Sequence, residues 1–428
     1  MRKTEIKHRV LDDTLKHQLL LWASQFDEVI WLDSNHHSGA LSSYKAILAV
    51  DGLTSLKTSF EGAFDALDAY QEACKDWLFG YLTYDLKNDL EDLDSSNFDG
   101  LHFPDLFFFQ PKRLFLFHED HIEVSYLNMI DDEIASDWEA IQNISLNRNS
   151  EKTEVRIRLR TSKDSYYRKV EEMIDHIKRG DIYEANFCQE FYSEGVSIDP
   201  VHTFTHLNAI SRPPFATYLK LKDHYLLSAS PERYLAKQGE KVVSQPIKGT
   251  AKRGSNPRMD AAIAARLKAD PKERSENIMI TDLVRNDLSR FAIKGSVTVE
   301  ELCALHTFDQ VHQLVSTVSC KVPESLSPIT IIRDTFPMGS MTGAPKISAM
   351  KIIEELEDTK RGLYSGAVGY ISPEKDMDFN VIIRSILYNA TTRYVSFSVG
   401  GAITARSTPE REYEECLVKA KAMREVLE

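Results

Sequence analysis

Two segments of this chain read as helices that turn acid toward the core, and few folds tolerate carboxylates buried without a partner. The first begins Asp270-Pro271-Lys272-Glu273. Asp suits the cap position, Pro suits the first helical position, and Glu three residues past the cap completes a capping box. At about 100° per residue, Met279, Ile280, Leu283 and Val284 fall on one stripe, which Glu273, Glu276 and Asp287 share. Arg274, Arg285 and Ser289 lie opposite, and Asn277 falls off the stripe. The second helix begins at Thr408-Pro409, a cap followed by proline. Its apolar arc holds Cys416, Ala420, Met423, Val426 and Leu427, with Glu412, Glu415 and Lys419 inside it, while Leu417 and Val418 point away.

A buried ion costs several kcal/mol unless it is paired or bound to metal. Such faces are therefore ion-pair networks, half-exposed surfaces, or ligands for a cation. For one helix the first two readings are the commoner. Two helices of the same kind favour a shared metal site. Oxygen ligands with no cysteine or histidine cluster beside them suit Mg²⁺ rather than zinc.

The rest of the chain sets the frame. The 428 residues suffice for two or three domains or for one large α/β body, and 42% hydrophobic with 27% charged residues is ordinary for a globular protein. Strand-like runs occur at Val29–Leu32, Leu78–Leu82 and Arg113–Phe117, and Glu91–Ser96 reads as a solvated loop. The first part runs to roughly Ser150, and the texture changes near Ser162. Ser165 to Arg179 reads as an amphipathic helix ended by Gly180-Asp181, and strands and helices alternate from there. We expect residues 1–155 to contribute to the same body as a catalytic region over 160–428. The five cysteines, Cys74, Cys188, Cys303, Cys320 and Cys416, form no C-x-x-C pair, so a disulfide framework or zinc site is not expected. The first residues lack the apolar stretch of a secretory leader, and no run is long enough to cross a bilayer. A cytoplasmic location fits best. A net charge of −13 argues against nucleic acid and anionic membranes as partners. An anionic substrate would need local positive charge at its site.

The sequence from Lys272-Glu273-Arg274-Ser275-Glu276-Asn277-Ile278-Met279 to Asp282-Leu283-Val284-Arg285-Asn286-Asp287 resembles the K-E-x-x-E-H-x-M…D-L-x-R-N-D segment of the chorismate-utilising enzymes, which include anthranilate synthase component I and the isochorismate and salicylate synthases. Further segments agree in order and spacing: Gly180–Tyr183, Ser230–Arg233, Pro246–Thr250, Val311–Ser316, Thr342–Lys346, Arg361–Gly366 and Pro409–Glu415. Before Ser150 the match is thinner, mainly Trp31–Ser34 and Gly80–Asp85. The resemblance implies an α+β body of the anthranilate synthase component I type, with a large antiparallel β-sandwich core and outer helices.

The resemblance also implies roles. Glu276 and Glu415 would be the Mg²⁺ ligands, with Glu273 and Glu412 as supporting or alternate ligands. Asn277 stands where the family usually has His. Lys419 would meet a substrate carboxylate, and Tyr364 and Arg384 would hold the pyruvyl carboxylate; an Arg fork suits a carboxylate better than Lys does. Thr250 and the backbone of Gly401 and Ala402 would touch the ligand, with Ala402 replacing a usual Gly. Lys248 in Pro-Ile-Lys-Gly-Thr resembles the members that aminate chorismate at C4 and keep its pyruvyl group; anthranilate synthases usually carry Ala there. The implied chemistry is attack by the lysine amine at C2, loss of the C4 hydroxyl, and addition of ammonia at C4, as a step toward p-aminobenzoate and folate. Glu232 would be the general acid, and His312 would lie near the leaving hydroxyl. Glu184 stands where isochorismate-forming relatives have a water-activating Lys, which argues against direct attack by water. No cysteine has a G-x-C-x-G setting, so ammonia is expected from a separate glutamine amidotransferase subunit. Ser34, Pro214 and Phe215 match positions that form a tryptophan pocket in some relatives. Two rival readings remain open: anthranilate synthase component I, and a non-catalytic subunit that senses chorismate or tryptophan.

Overall fold

The computed structural model describes residues 1–37, 44–146, 155–308 and 311–428. The expected end of the first part near Ser150 falls in 147–154, outside the described residues. The three strand-like runs form Glu28–Asp33, Leu78–Leu82 and the second half of Leu106–Phe117. The amphipathic segment forms the helix Lys163–Arg179. Ser162 caps it by accepting from the Ser165 N–H, and Gly180 ends it at φ 89°.

The strands pair antiparallel throughout and make a sandwich. One layer runs in space from Glu184–Glu194 through Tyr394–Ile403, Ser385–Asn389, His224–Ser230, Phe215–Leu221, Glu28–Asp33 and Ala46–Thr58 to Leu106–Phe117. Leu106–Phe117 also pairs with Leu78–Leu82. From there the second layer continues through Ala367–Ile371, Met377–Val381, Arg233–Gln238 and Lys241–Gln245 to Val311–Lys321. Strands from before residue 155 thus form one contiguous block, joined on either side to strands from after residue 160 within one sheet system.

Alternation of side chains divides the core in two. Val29, Trp31, Ala46, Leu48 and Val50 face the layer of outer helices, whereas Ile30, Ile47 and Ala49 face the second sheet. Both faces of these strands are covered, which is why they read as continuous apolar runs. The two acidic helices, Pro271–Ser289 and Pro409–Leu427, pack on Val311–Lys321 and Tyr394–Ile403 respectively and approach each other where Lys272 faces Glu412.

Candidate active site

Asp270 caps the first acidic helix as expected, accepting from the N–H groups of Lys272 at 2.9 Å and Glu273 at 3.2 Å. The return half of the capping box is not made. The Asp270 N–H donates to Leu267 O instead, leaving the Glu273 carboxylate to the site. The buried stripe is also rotated from the expected one. It holds Glu276, Asn277, Ile280, Thr281, Val284, Asp287 and Leu288, with Met279 and Leu283 at its edge. Asn277 is buried because its amide donates to Leu314 O at 3.1 Å and accepts from Ser316 Oγ. Asp287 is not part of the acidic group facing the second helix: Lys346 Nζ lies 2.7 Å from it.

The second helix carries no side-chain cap from Thr408, and its buried face holds Glu412, Tyr413, Cys416, Ala420, Met423 and Leu427, whereas Glu415, expected inside the arc, stands at its rim with its side chain 45% exposed and Lys419 is half-buried. Lys272 Nζ stands 3.7 Å from Glu276 Oε1 and 3.6 Å from Glu412 Oε1, bridging the helices. Lys419 Nζ is 2.6 Å from Glu415 Oε1 and donates to Gly400 O at 2.6 Å. A Cβ on Gly401 would lie 3.4 Å from both Glu412 Oε2 and Glu415 Oε1. The strand end, the helix and their carboxylates therefore form one wall. Gly400 has no room for a side chain, since a Cβ would come 2.4 Å from Phe187 O. Ala402, 8% exposed, pairs in register with Asn186, and its methyl is accommodated.

Lys248 reaches this wall from the strand Ile247–Lys252. The pairing with Val311–Lys321 shifts register between Ile247 and Thr250, and Gly249 sits at φ 90°. A bulge of this kind re-aims a side chain. The Lys248 ammonium acts on four carboxylates, drawing down Glu184, Glu232, Glu276 and Glu415. Burial pushes Glu232 up to about 7 despite a hydrogen bond to Ser340 and the charge of Lys248. Burial also raises Glu184, whose Oε2 has no hydrogen-bond partner. Glu276 is pushed up to about 7 by burial, with Lys248 and Lys272 opposing and Glu273 and Glu184 adding like charge. Its Oε1 is likewise buried without a hydrogen bond. Burial raises Glu273 as well. Glu415 differs: burial works upward, but Lys419, Lys272 and Lys248 hold it below the usual range.

Arg384 faces Tyr364 and Glu415 closely enough to feel both, and burial lowers its pKa. Among the described residues its guanidinium makes no hydrogen bond or ion pair, so its fork is free for a carboxylate. Tyr364 is 4% exposed and accepts from Cys188 Sγ at 3.6 Å. Thr250 is exposed and accepts from Gln313 Nε2 at 3.4 Å. His312 is buried with both ring nitrogens engaged, at 2.9 Å from Asp260 Oδ1 and 2.9 Å from Thr307 Oγ1. Ser34, Pro214 and Phe215 line a separate cavity with Tyr44, Lys45 and Tyr370.

A pair that sequence reasoning passed over lies near enough to Tyr364 for both charges to act on it. Arg361 and Glu357, 2.7 Å apart, are both buried. Arg361 donates to Met341 O and Asn186 O at 2.6 Å each, and Glu357 Oε1 accepts from the Cys188 N–H at 2.8 Å. The i, i+4 spacing was visible, but nothing local marks it as buried. Among the described residues no helix is long and apolar enough to cross a membrane.

The profile of the family described as chorismate binding enzyme matches residues 20–425. Aminodeoxychorismate synthase component 1 of Escherichia coli (strain K12) is 39% identical over 267 residues, 62% of this chain and 58% of that protein, so the match spans less than two thirds of that relative. Aminodeoxychorismate synthase component 1 of Bacillus subtilis (strain 168) is 29% identical over 449 aligned positions, 98% of this chain and 93% of the relative. The crystal structure of anthranilate synthase component I from Streptococcus pneumoniae TIGR4 superposes with a TM-score of 0.80 at 25% identity, covering 91% of this chain and 94% of that one.

Proposed function

The chain belongs to the chorismate binding enzymes, and on that premise we propose that it aminates chorismate at C4, giving 4-amino-4-deoxychorismate for p-aminobenzoate and folate synthesis. The observation that carries this reading is Lys248 set among Glu184, Glu232, Glu276 and Glu415. Its amine attacks C2 of the ring, the double bonds shift, and the C4–O bond breaks. Glu232, protonated up to about pH 7, gives its proton to the departing hydroxide, which leaves as water. Ammonia then adds at C4, the double bonds shift back, and the lysine amine leaves C2. Arg384 and Tyr364 receive the pyruvyl carboxylate, and Lys419 the ring carboxylate. His312, held by Asp260 and Thr307, acts as a positioning residue behind the leaving hydroxyl.

Mg²⁺ fits the donor set of Glu276 and Glu415, with Glu273 and Glu412 in support. These are oxygens only, and Glu276 Oε1 is buried without a hydrogen bond. Mg²⁺ takes one or two carboxylates and keeps waters. When bound it supplies positive charge against a dianionic substrate in a protein of net charge −13. Ammonia comes from a glutamine amidotransferase subunit, and the complex works in the cytoplasm.

The deciding experiment is a product assay of the purified chain with chorismate, Mg²⁺ and an ammonium salt at mildly basic pH, read by mass spectrometry. Aminodeoxychorismate, retaining its pyruvyl group, is the expected product. The structural likeness to anthranilate synthase component I favours a second reading, whose product would be anthranilate plus pyruvate. No consumption of chorismate would overturn both.

A further inference from the structure

We propose a second metal site, of zinc type, at the tip of the hairpin formed by the strands Leu106–Phe117 and Ile122–Leu127, where the His118 ring packs 5.4 Å from Tyr44 at the wall of the cavity lined by Ser34, Pro214 and Phe215. Its ligands are His118, His121 and Glu123, each offering one donor atom, and these three atoms lie within 4.8 Å of one another. The hairpin geometry brings them together. Phe117 pairs with Ile122, and the His118 N–H donates to His121 O at 2.9 Å, so the two histidines stand opposite at the turn. His121 and Glu123 are two residues apart on one strand and share its face.

The two histidine–carboxylate separations bracket the spacing of ligands around one ion. His118 Nε2 is 3.0 Å and His121 Nε2 3.8 Å from Glu123 Oε1. Two ligands about 2.0–2.1 Å from a tetrahedral zinc stand about 3.3 Å apart. His118 Nε2 is shut off from solvent and makes no hydrogen bond, although the carboxylate oxygen is within reach. The imidazoles stack at 4.3 Å between centroids and 7° between planes. Their in-plane lone pairs do not yet converge, so binding one ion requires a ring rotation that turns both Nε2 atoms to a common point. His121 Nδ1 lies 2.8 Å from Asp120 Oδ1, and a proton held there leaves Nε2 with the lone pair facing the site. A carboxylate behind a ligating His is the usual means of fixing its tautomer. The ligand side chains are 24%, 27% and 32% exposed, so an ion can enter and a fourth position stays open to water.

The test uses the full chain, stripped with EDTA and titrated with Zn²⁺ by calorimetry and with Co²⁺ by visible d–d absorption. Wild type is expected to bind at this site with the intense bands of a four-coordinate ion. His118→Ala/His121→Ala should lose that site, and Asp120→Asn should weaken it by about tenfold. Glu276→Gln/Glu415→Gln, which removes carboxylates of the acidic helices, should retain it. Circular dichroism establishes that each variant is folded. Zn²⁺ binding and cobalt bands unchanged in His118→Ala/His121→Ala, loss of both in Glu276→Gln/Glu415→Gln alone, or no binding by wild type would each overturn the proposal.

Discussion

Lys272 Nζ on one acidic helix lies 3.6 Å from Glu412 Oε1 on the other, so an ammonium holds together two faces that would otherwise repel. It stands beside the same carboxylates that a divalent ion would use. Lys272→Met removes that competitor. With Lys272 38% exposed, screening limits the effect to about 1 kcal/mol. Mg²⁺ should bind about fivefold more tightly to the variant by calorimetry, and weaker binding would mean that Lys272 supports the site.

Glu276 without metal holds its proton up to about pH 7, yet only its ionised form binds a cation well. Below about pH 7, binding must release a proton, and affinity should fall by up to about tenfold per pH unit. Above it the dependence should flatten. Calorimetry in buffers of different ionisation heat counts the protons, and Glu276→Gln should release none from this position.

Glu232 links stability and activity to the same proton. Its folded-state pKa of about 7 lies above the ordinary 4.5, so its contribution to stability is full below pH 4.5 and is lost as pH rises to about 7. The loss is on the order of 3 kcal/mol. Urea unfolding across this range should show a slope that Glu232→Gln flattens. Turnover should fall above about pH 7 on a limb that the same substitution removes, because the acid has then lost its proton.

Asn277 shows where sequence legibility ends. The helix and its Asp270 cap, the inward Glu276 and the partner helix with Glu412 were readable, since capping and periodicity are local. The strands were readable because both of their faces are apolar. A 3.6-residue pattern scores Asn277 as polar and turns it outward. It is buried because Leu314 O and Ser316 Oγ, from a strand far along the chain, supply its hydrogen bonds. The bridge by Lys272, the Arg361–Glu357 pair and the cradle of His312 were hidden for the same reason: each partner is chosen by tertiary packing. Asn277→Ala should strand the Leu314 carbonyl and the Ser316 hydroxyl, costing about 2–3 kcal/mol in denaturant unfolding. A cost near zero would mean that water replaces the amide.

Lys248 has two separable effects, and one variant can read both. As a nucleophile it is needed for chemistry, so Lys248→Met should form no aminodeoxychorismate while binding chorismate with Mg²⁺ within a few-fold of wild type. As a charge it draws down Glu232 and Glu276. Its loss should therefore move the pH midpoint of Mg²⁺ binding upward, whatever the reaction mechanism. A shifted midpoint with normal turnover would keep the lysine at the site but end its role as nucleophile. An unshifted midpoint would mean that the ammonium does not act on the acidic helix, and the site as described would be wrong.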